Sequence, residues 1–213
     1  MNKYQTSDKT QQALIHATGE LASEEGFNTI TTRNIAERSG ENIGSIHYHF
    51  GGKEKLFEAT LLTACQSWID HPLVEALVDC NLQSKEGQAE AIRRTITRVT
   101  NLLFDKDIPS WHSRVIYQVM QTENNLRNIF SATVMDEELE QVGKLLNVID
   151  PTLSEEQRLQ HFMLLFTPLF FHADYRGAIL QRLGKEEYSE DYLESLRDNC
   201  IRQALLLYGL PLE

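Results

Sequence analysis

Apolar residues recur every three or four positions along most of the chain, and no stretch sustains the period-two alternation of a half-buried strand. The pattern predicts an all-α protein. Leu14, Ala17, Leu21 and Ala22 share one face of a helix expected over about residues 10–25, closed by Gly26 with Phe27 packing after it. Thr31 is placed to cap a short helix over about 32–38 whose inward residues are Ile35 and Ala36. Gly40 suits a turn, and Asn42 suits the cap of a second short helix over about 43–50, with Ile46 and Phe50 facing the core. A longer helix is expected from Lys53 to Asp70, with Leu56, Leu61 and Leu62 on its inner face.

Pro72 and the stretches 84–87 and 107–109 mark later breaks. Helices are expected between them at about 73–82, 87–105, 110–122, 124–132 and 135–147. Two long helices close the chain, at about 154–182 and 190–208, with Gly184 and Ser189 framing their connection. Ser154 and Gln157 form a capping-box pattern at the start of the first. Its segment 160–171 is apolar nearly all round, as in a helix buried on several sides, and Pro168 is expected to kink it.

Composition narrows the class. Hydrophobic residues at 41% and charged residues at 24% are ordinary for a soluble globular protein. No apolar run approaches the roughly 20 residues that span a bilayer, and the polar start lacks a signal-peptide core, so a cytoplasmic protein without membrane attachment is expected. Cys65, Cys80 and Cys200 are odd in number and far apart, which argues against a disulfide framework or a thiolate zinc site. Inert buried thiols are the expectation, with redox sensing at Cys65 or Cys80 as the alternative.

The segment from Thr31 to Lys53 carries the candidate chemistry. Two short helices joined by a glycine turn suit a helix-turn-helix, in which the second helix enters a DNA major groove. That helix begins at Asn42, and Gly44 and Ser45 have too little bulk to hold it away from DNA. His47, Tyr48 and His49 follow as hydrogen-bonding groups, Thr31 and Thr32 offer hydroxyls beside free helix amides, and Lys53 opens the next helix. Arg33 is the leading candidate for a base or phosphate contact. Charge opposes the picture without overturning it. The net charge is −11; residues 1–58 hold 6 Lys+Arg against 8 Asp+Glu (−2), and 59–213 hold 14 against 23 (−9). Weak nonspecific attraction to DNA is therefore expected. A purely structural alternative has Tyr48 and Phe50 stapling this helix to the next.

These residues resemble the tetracycline-repressor (TetR) family of one-component bacterial regulators. Its pattern is a glycine–aromatic pair, a threonine-led helix with Ile-Ala, a small-residue–glycine turn, and an aromatic ending followed by Lys-Glu. The chain supplies Gly26-Phe27, Thr31, Ile35-Ala36, Ser39-Gly40, Tyr48-His49-Phe50 and Lys53-Glu54-Lys55-Leu56. The resemblance implies an N-terminal three-helix DNA-binding domain, here residues 6–66, and a C-terminal helical effector-binding and dimerisation domain, here 67–213. It implies phosphate contacts from Thr31, Tyr48, His49 and Lys53, and base reading around Arg33, Gly44 and Ser45. It further implies a homodimer through the helices near 154–182 and 190–208, and a repressor released from a palindromic operator by a small-molecule effector, with no cofactor. The chain departs from the pattern at Glu41, where valine is usual, and at His47, where an aromatic is usual; Gly51-Gly52 loosens the joint to the fourth helix.

For the effector, the aromatic, methionine and polar side chains at helical spacing are Trp111, Arg114, Tyr117, Gln118, Met120, Phe130, Met163, Phe166 and Phe170. Plain core packing is their structural alternative. Two rival functions stay open. One is a helical interaction or signalling protein with a relic helix-turn-helix. The other is an all-helical enzyme, disfavoured because the sequence holds no His-Glu-x-x-His, paired Glu-x-x-His or phosphate-loop motif, and His112, His161 and His172 are isolated. An enzyme is not expected.

Overall fold

A computed structural model describes the backbone of residues 3–212 and the side chains from residue 7 to residue 212. Every regular element among them is helical. The chain forms two compact units. The first holds the chain up to residue 66 together with 109–133, and the second holds 67–108 with the chain from 134 onward. The sequence reading places 109–133 in a C-terminal domain. In the structure this segment joins the first unit because its main helix packs along the N-terminal one.

The first unit contains α1 (Lys3–Glu25), α2 (Thr32–Ser39), α3 (Ile43–Phe50) and α4 (Lys53–Asp70) up to residue 66, with α7 (Trp111–Met120) and α8 (Asn125–Phe130). Helix α1 starts earlier than expected, through a polar stretch with no apolar stripe to announce it. Leu14, Ile35, Ile46, Leu56 and Leu61 are fully buried. The buried hydroxyls of Thr18 and Thr60 donate to the carbonyls of Leu14 and Leu56, so neither costs an unmade hydrogen bond. Two expectations are corrected. Leu62 is 41% exposed, because the inward stripe of α4 runs through Leu56, Phe57, Leu61, Ala64 and Cys65 and a neighbour of Leu61 is turned about 100° away. Phe50, at the end of α3, is only half-buried.

The α1–α7 contact depends on one glycine. A Cβ on Gly19 would fall 2.3–2.6 Å from three atoms of the buried Trp111 ring. Beside it, burial pushes the His112 imidazole down to about 4, and the neighbouring His16 adds to the shift. The folded protein therefore resists protonation that the unfolded chain accepts from about pH 6.5 downward. Stability should fall as pH drops through this window from about 6.5 to about 4. In urea denaturation across it, His112→Gln is expected to flatten the slope; an unchanged slope would exclude His112 as its source.

The second unit contains α5 (Leu73–Leu77), α6 (Lys85–Phe104), α9 (Asp136–Ile149), α10 (Glu155–Asp174), α11 (Arg176–Leu183) and α12 (Glu190–Leu207). Helix α6 is central, touching α5, α10 and α12. Its arginine Arg98 makes a buried, bidentate pair with Glu138 of α9, at 2.6 and 3.0 Å. Helix α5 ends short of the expected residue 82 because the following loop folds back on the start of α6. There Gln88 donates to the Leu82 carbonyl, and a Cβ on Gly87 would collide with the Asn81 backbone.

The segments expected at 124–132 and 135–147 join through a π-helical stretch, Ser131–Met135. The expected helix over 154–182 is two helices. Pro168 lies inside α10, and the break comes at Tyr175, whose ψ is 14°. The Ser154–Gln157 capping box is formed. Only one side of α10 meets the core, through Phe162, Leu165, Phe166 and Leu169. Leu159, Met163, Leu164 and Phe171 are exposed, so burial on several sides is not achieved within one chain.

The three cysteines are free. Burial raises all three thiols, Cys65 to about 12, which is opposite to the lowered value that a sensing thiolate needs.

Candidate nucleic-acid interface

Helices α2 and α3 are set by their caps. Thr31 is extended, its hydroxyl accepts from the Asn34 amide at 3.2 Å, and the Asn34 side chain accepts from the Thr31 amide at 3.1 Å. Asn34 is the residue that sequence reading missed. It stands where a capping box usually has Glu or Gln, and that position is the signal that could have found it. Asn42 accepts from the Ser45 amide at 2.9 Å and starts α3. A Cβ on Gly44 would approach that cap oxygen to 2.9 Å, so the small residue protects the cap as well as the surface.

Gly40 and Gly51 bracket the second helix with φ of 73° and 77°, a left-handed conformation that a side chain would strain. These sharp stops leave α3 only eight residues long, braced on α1 and α2 through buried Ile46. Its remaining faces carry His47, Tyr48 and His49. Tyr48 is 79% exposed, with the His49 ring edge-on to it at 4.9 Å. A staple between helices would be buried, so that alternative does not describe Tyr48.

The cations have distinct duties. Arg38 bridges Glu24 and Glu20 of α1 and ties α2 to it. The Arg38 hydrogen bond holds the Glu24 carboxyl below its usual value. Arg33 pairs with Glu37 at 2.9 Å, but both side chains are well exposed, and such a pair yields readily to a better anion. Lys53 donates to the Ile30 carbonyl at 3.3 Å and lies 5.3 Å from the Phe57 ring, which anchors the start of α4 beside α2. Glu41 accepts from Thr10 at 3.0 Å, so the acidic departure makes a polar tie from α1 to the turn.

Thr31, Arg33, Asn42, Gly44, His47 and Tyr48 are exposed, and Thr32, Ser45, His49 and Lys53 are half-buried. Nine of the ten lie on α2, α3 or their N-caps, and Lys53 opens α4, all within one unit. The nine effector candidates do not share a unit. Trp111, Arg114, Tyr117, Gln118, Met120 and Phe130 belong to the first, and Met163, Phe166 and Phe170 to the second. Phe170 stacks on Trp68 at 6.0 Å, Phe166 packs on Phe162, and Met163 is exposed. In α7, Trp111 Nε1, His112 Nδ1 and Arg114 Nε are buried with no hydrogen-bond partner among the described residues. No group of three or more His, Cys, Asp or Glu there could hold a metal ion. No described helix is long and apolar enough to cross a membrane.

Residues 14–60 match the family described as bacterial regulatory proteins, tetR family. Over 62 residues the chain is 42% identical to the HTH-type transcriptional dual regulator CecR of Shigella flexneri, covering 29% of this chain and 25% of that protein. The chain therefore spans about a quarter of that relative's length. Solved structures match over nearly the whole chain. A transcriptional regulator from Rhodococcus sp. Rha1 aligns with 92% of this chain and 96% of its own at 22% identity, with a TM-score of 0.59. A regulator of the TerR/AcrR family from Aquifex aeolicus VF5 aligns with 93% and 99% at 16% identity, with a TM-score of 0.53. At these identities the structural matches establish a shared fold.

Proposed function

From the premise that this chain carries the DNA-binding segment of the tetR family of bacterial regulatory proteins, we propose that it is a homodimeric, ligand-responsive transcription regulator that represses from a palindromic operator. The observation that carries the reading is α3 itself. It is a short helix held by two left-handed glycines and one buried isoleucine, and it presents a 79% exposed tyrosine between two histidines. Such a surface has no scaffold role, and a DNA groove would cover it. The ten residues Thr31, Thr32, Arg33, Asn42, Gly44, Ser45, His47, Tyr48, His49 and Lys53 form its contact set, with Asn42 and Thr31 also serving as caps.

The uncovered apolar face of α10, with Leu206 and Leu207 exposed on α12, supports dimerisation through these helices. A two-fold dimer would present two α3 helices to symmetric half-sites. The effector reading rests on α7, where Trp111 and Arg114 hold buried donors that an acceptor on a bound molecule would satisfy. The protein acts as a regulator in the cytoplasm rather than as an enzyme.

Operator selection from random duplexes, followed by gel shifts, tests this. His49→Ala/Lys53→Ala should weaken binding about tenfold and reduce the salt dependence, with the helical circular-dichroism signal retained. Unchanged affinity would remove these two contacts. Failure of the wild type to select any duplex would favour the interaction-protein alternative.

A further inference from the structure

The second unit contains a cavity of about 400 Å³ between α5, the first residues before it, and the C-terminal half of α6. None of the effector candidates named from sequence lines it. Its volume lies in the range of small-molecule sites. Pro72, Ala76, Leu102 and Ile108 give it apolar walls, and the rim carries His71, Glu75, Asn101 and Asp105, all exposed.

The charge of this cavity is decided by which groups already have partners. Arg98 is the one cation among the lining residues, and it lies buried. Both terminal nitrogens are engaged by Glu138, and Nε donates to the His71 carbonyl. Its charge is thus matched inside the protein. The nearby Lys106 pairs with Glu190 at 3.0 Å. Glu75 and Asp105 form no ion pair among the described residues, although Asp105 accepts from the Asp107 amide. His71 Nδ1 faces the Ser67 carbonyl at 3.0 Å. A carbonyl only accepts, so Nδ1 bears the proton. The rim therefore offers two carboxylates above an apolar interior.

We propose that this cavity is a binding site for an organic cation, an amine or guanidinium group carried on an apolar body. The cationic head sits at Glu75 and Asp105, and the apolar body lies against Leu102, Ala76 and Ile108. An organic anion would meet two like charges at the rim and no free cation on the floor. The site itself rests on the cavity alone; any effect of its ligand on operator binding rests on the regulator reading above.

The test uses the full chain and three matched probes, phenylbutylamine, phenylbutanol and phenylbutyrate, titrated by calorimetry at low and high salt. The amine is expected to bind one site per chain, most tightly of the three, and more weakly as salt rises. Glu75→Gln/Asp105→Asn should weaken the amine roughly threefold to tenfold and leave the alcohol unchanged. Asp79→Asn, outside the cavity, should change neither, which separates the site from attraction to the overall negative charge. The proposal is overturned by no amine binding, by phenylbutyrate binding as tightly, or by equal losses in the Asp79 variant. Gel shifts on the same samples keep the two readings apart. Retained operator binding with no amine site sinks only this proposal, and an amine site without operator binding sinks only the regulator reading.

Discussion

Glu138→Ala is expected to lower the unfolding free energy by about 3–5 kcal/mol, the largest effect of any single substitution considered. The reason is what remains. Arg98 and Glu138 are 8% and 7% exposed, and removing the carboxylate leaves a guanidinium in the interior with the His71 carbonyl as its hydrogen-bond partner and the Trp68 ring 5.4 Å away, but no counter-charge. The pair is not for that reason a strong source of net stability. Withdrawing two charges from water costs about as much as their attraction returns, so replacing both with apolar side chains should undo most of the damage. Urea denaturation of Glu138→Ala, Arg98→Met and Arg98→Met/Glu138→Leu measures this. A double variant as unstable as the worse single variant would reject the account. The Glu138 variant bears on the cavity too, since an unmatched guanidinium would make its floor positive and weaken a cationic ligand.

Gly19→Ala is the second large effect, and its sign is set by competition. In an open helical position, alanine for glycine stabilises by about 1 kcal/mol. At Gly19 the new methyl overlaps three atoms of a Trp111 ring that is itself 5% exposed and cannot withdraw. Overpacking of this kind costs about 1–3 kcal/mol, so the clash outweighs the gain in helix propensity. Gly143 in α9 is the control. Among the described residues no atom outside its own helix lies within 4 Å of a Cβ there, and Gly143→Ala should stabilise by up to about 1 kcal/mol. Combining Gly19→Ala with Trp111→Leu should give a less unstable protein than the two separate losses predict. Strictly additive losses in thermal unfolding would show that the ring is not the obstacle.

Much of the first unit was legible because its signals are local. A cap needs one side chain and an amide three residues on, so Thr31 and Asn42 marked the starts of α2 and α3. A left-handed turn needs a glycine, so Gly40 marked the joint between them. The candidate surface was legible for the same reason, because its spacing lies within a single run of about 30 residues.

Errors arose where a helix had to choose its neighbours. Leu62 looks as apolar as Leu61, and only the packing of α4 decides that it faces outward. The apolar wrap of α10 suggested burial on several sides, whereas the single chain covers one. The end of α5 was set by a loop that folds back onto α6.

The sequence by itself determined the all-helical class, the position of the helix-turn-helix and the caps that start its two short helices. Caps, glycines and helical periodicity act over three to eight residues, and neighbours in sequence suffice to read them. Only the tertiary structure decided that 109–133 packs with the N-terminal helices, that Gly19 makes room for Trp111, and that Arg98 is matched by Glu138. It also placed Glu75 and Asp105, 30 residues apart, on one cavity rim. Burial and charge matching belong to side chains brought together from distant positions, and no local pattern records them.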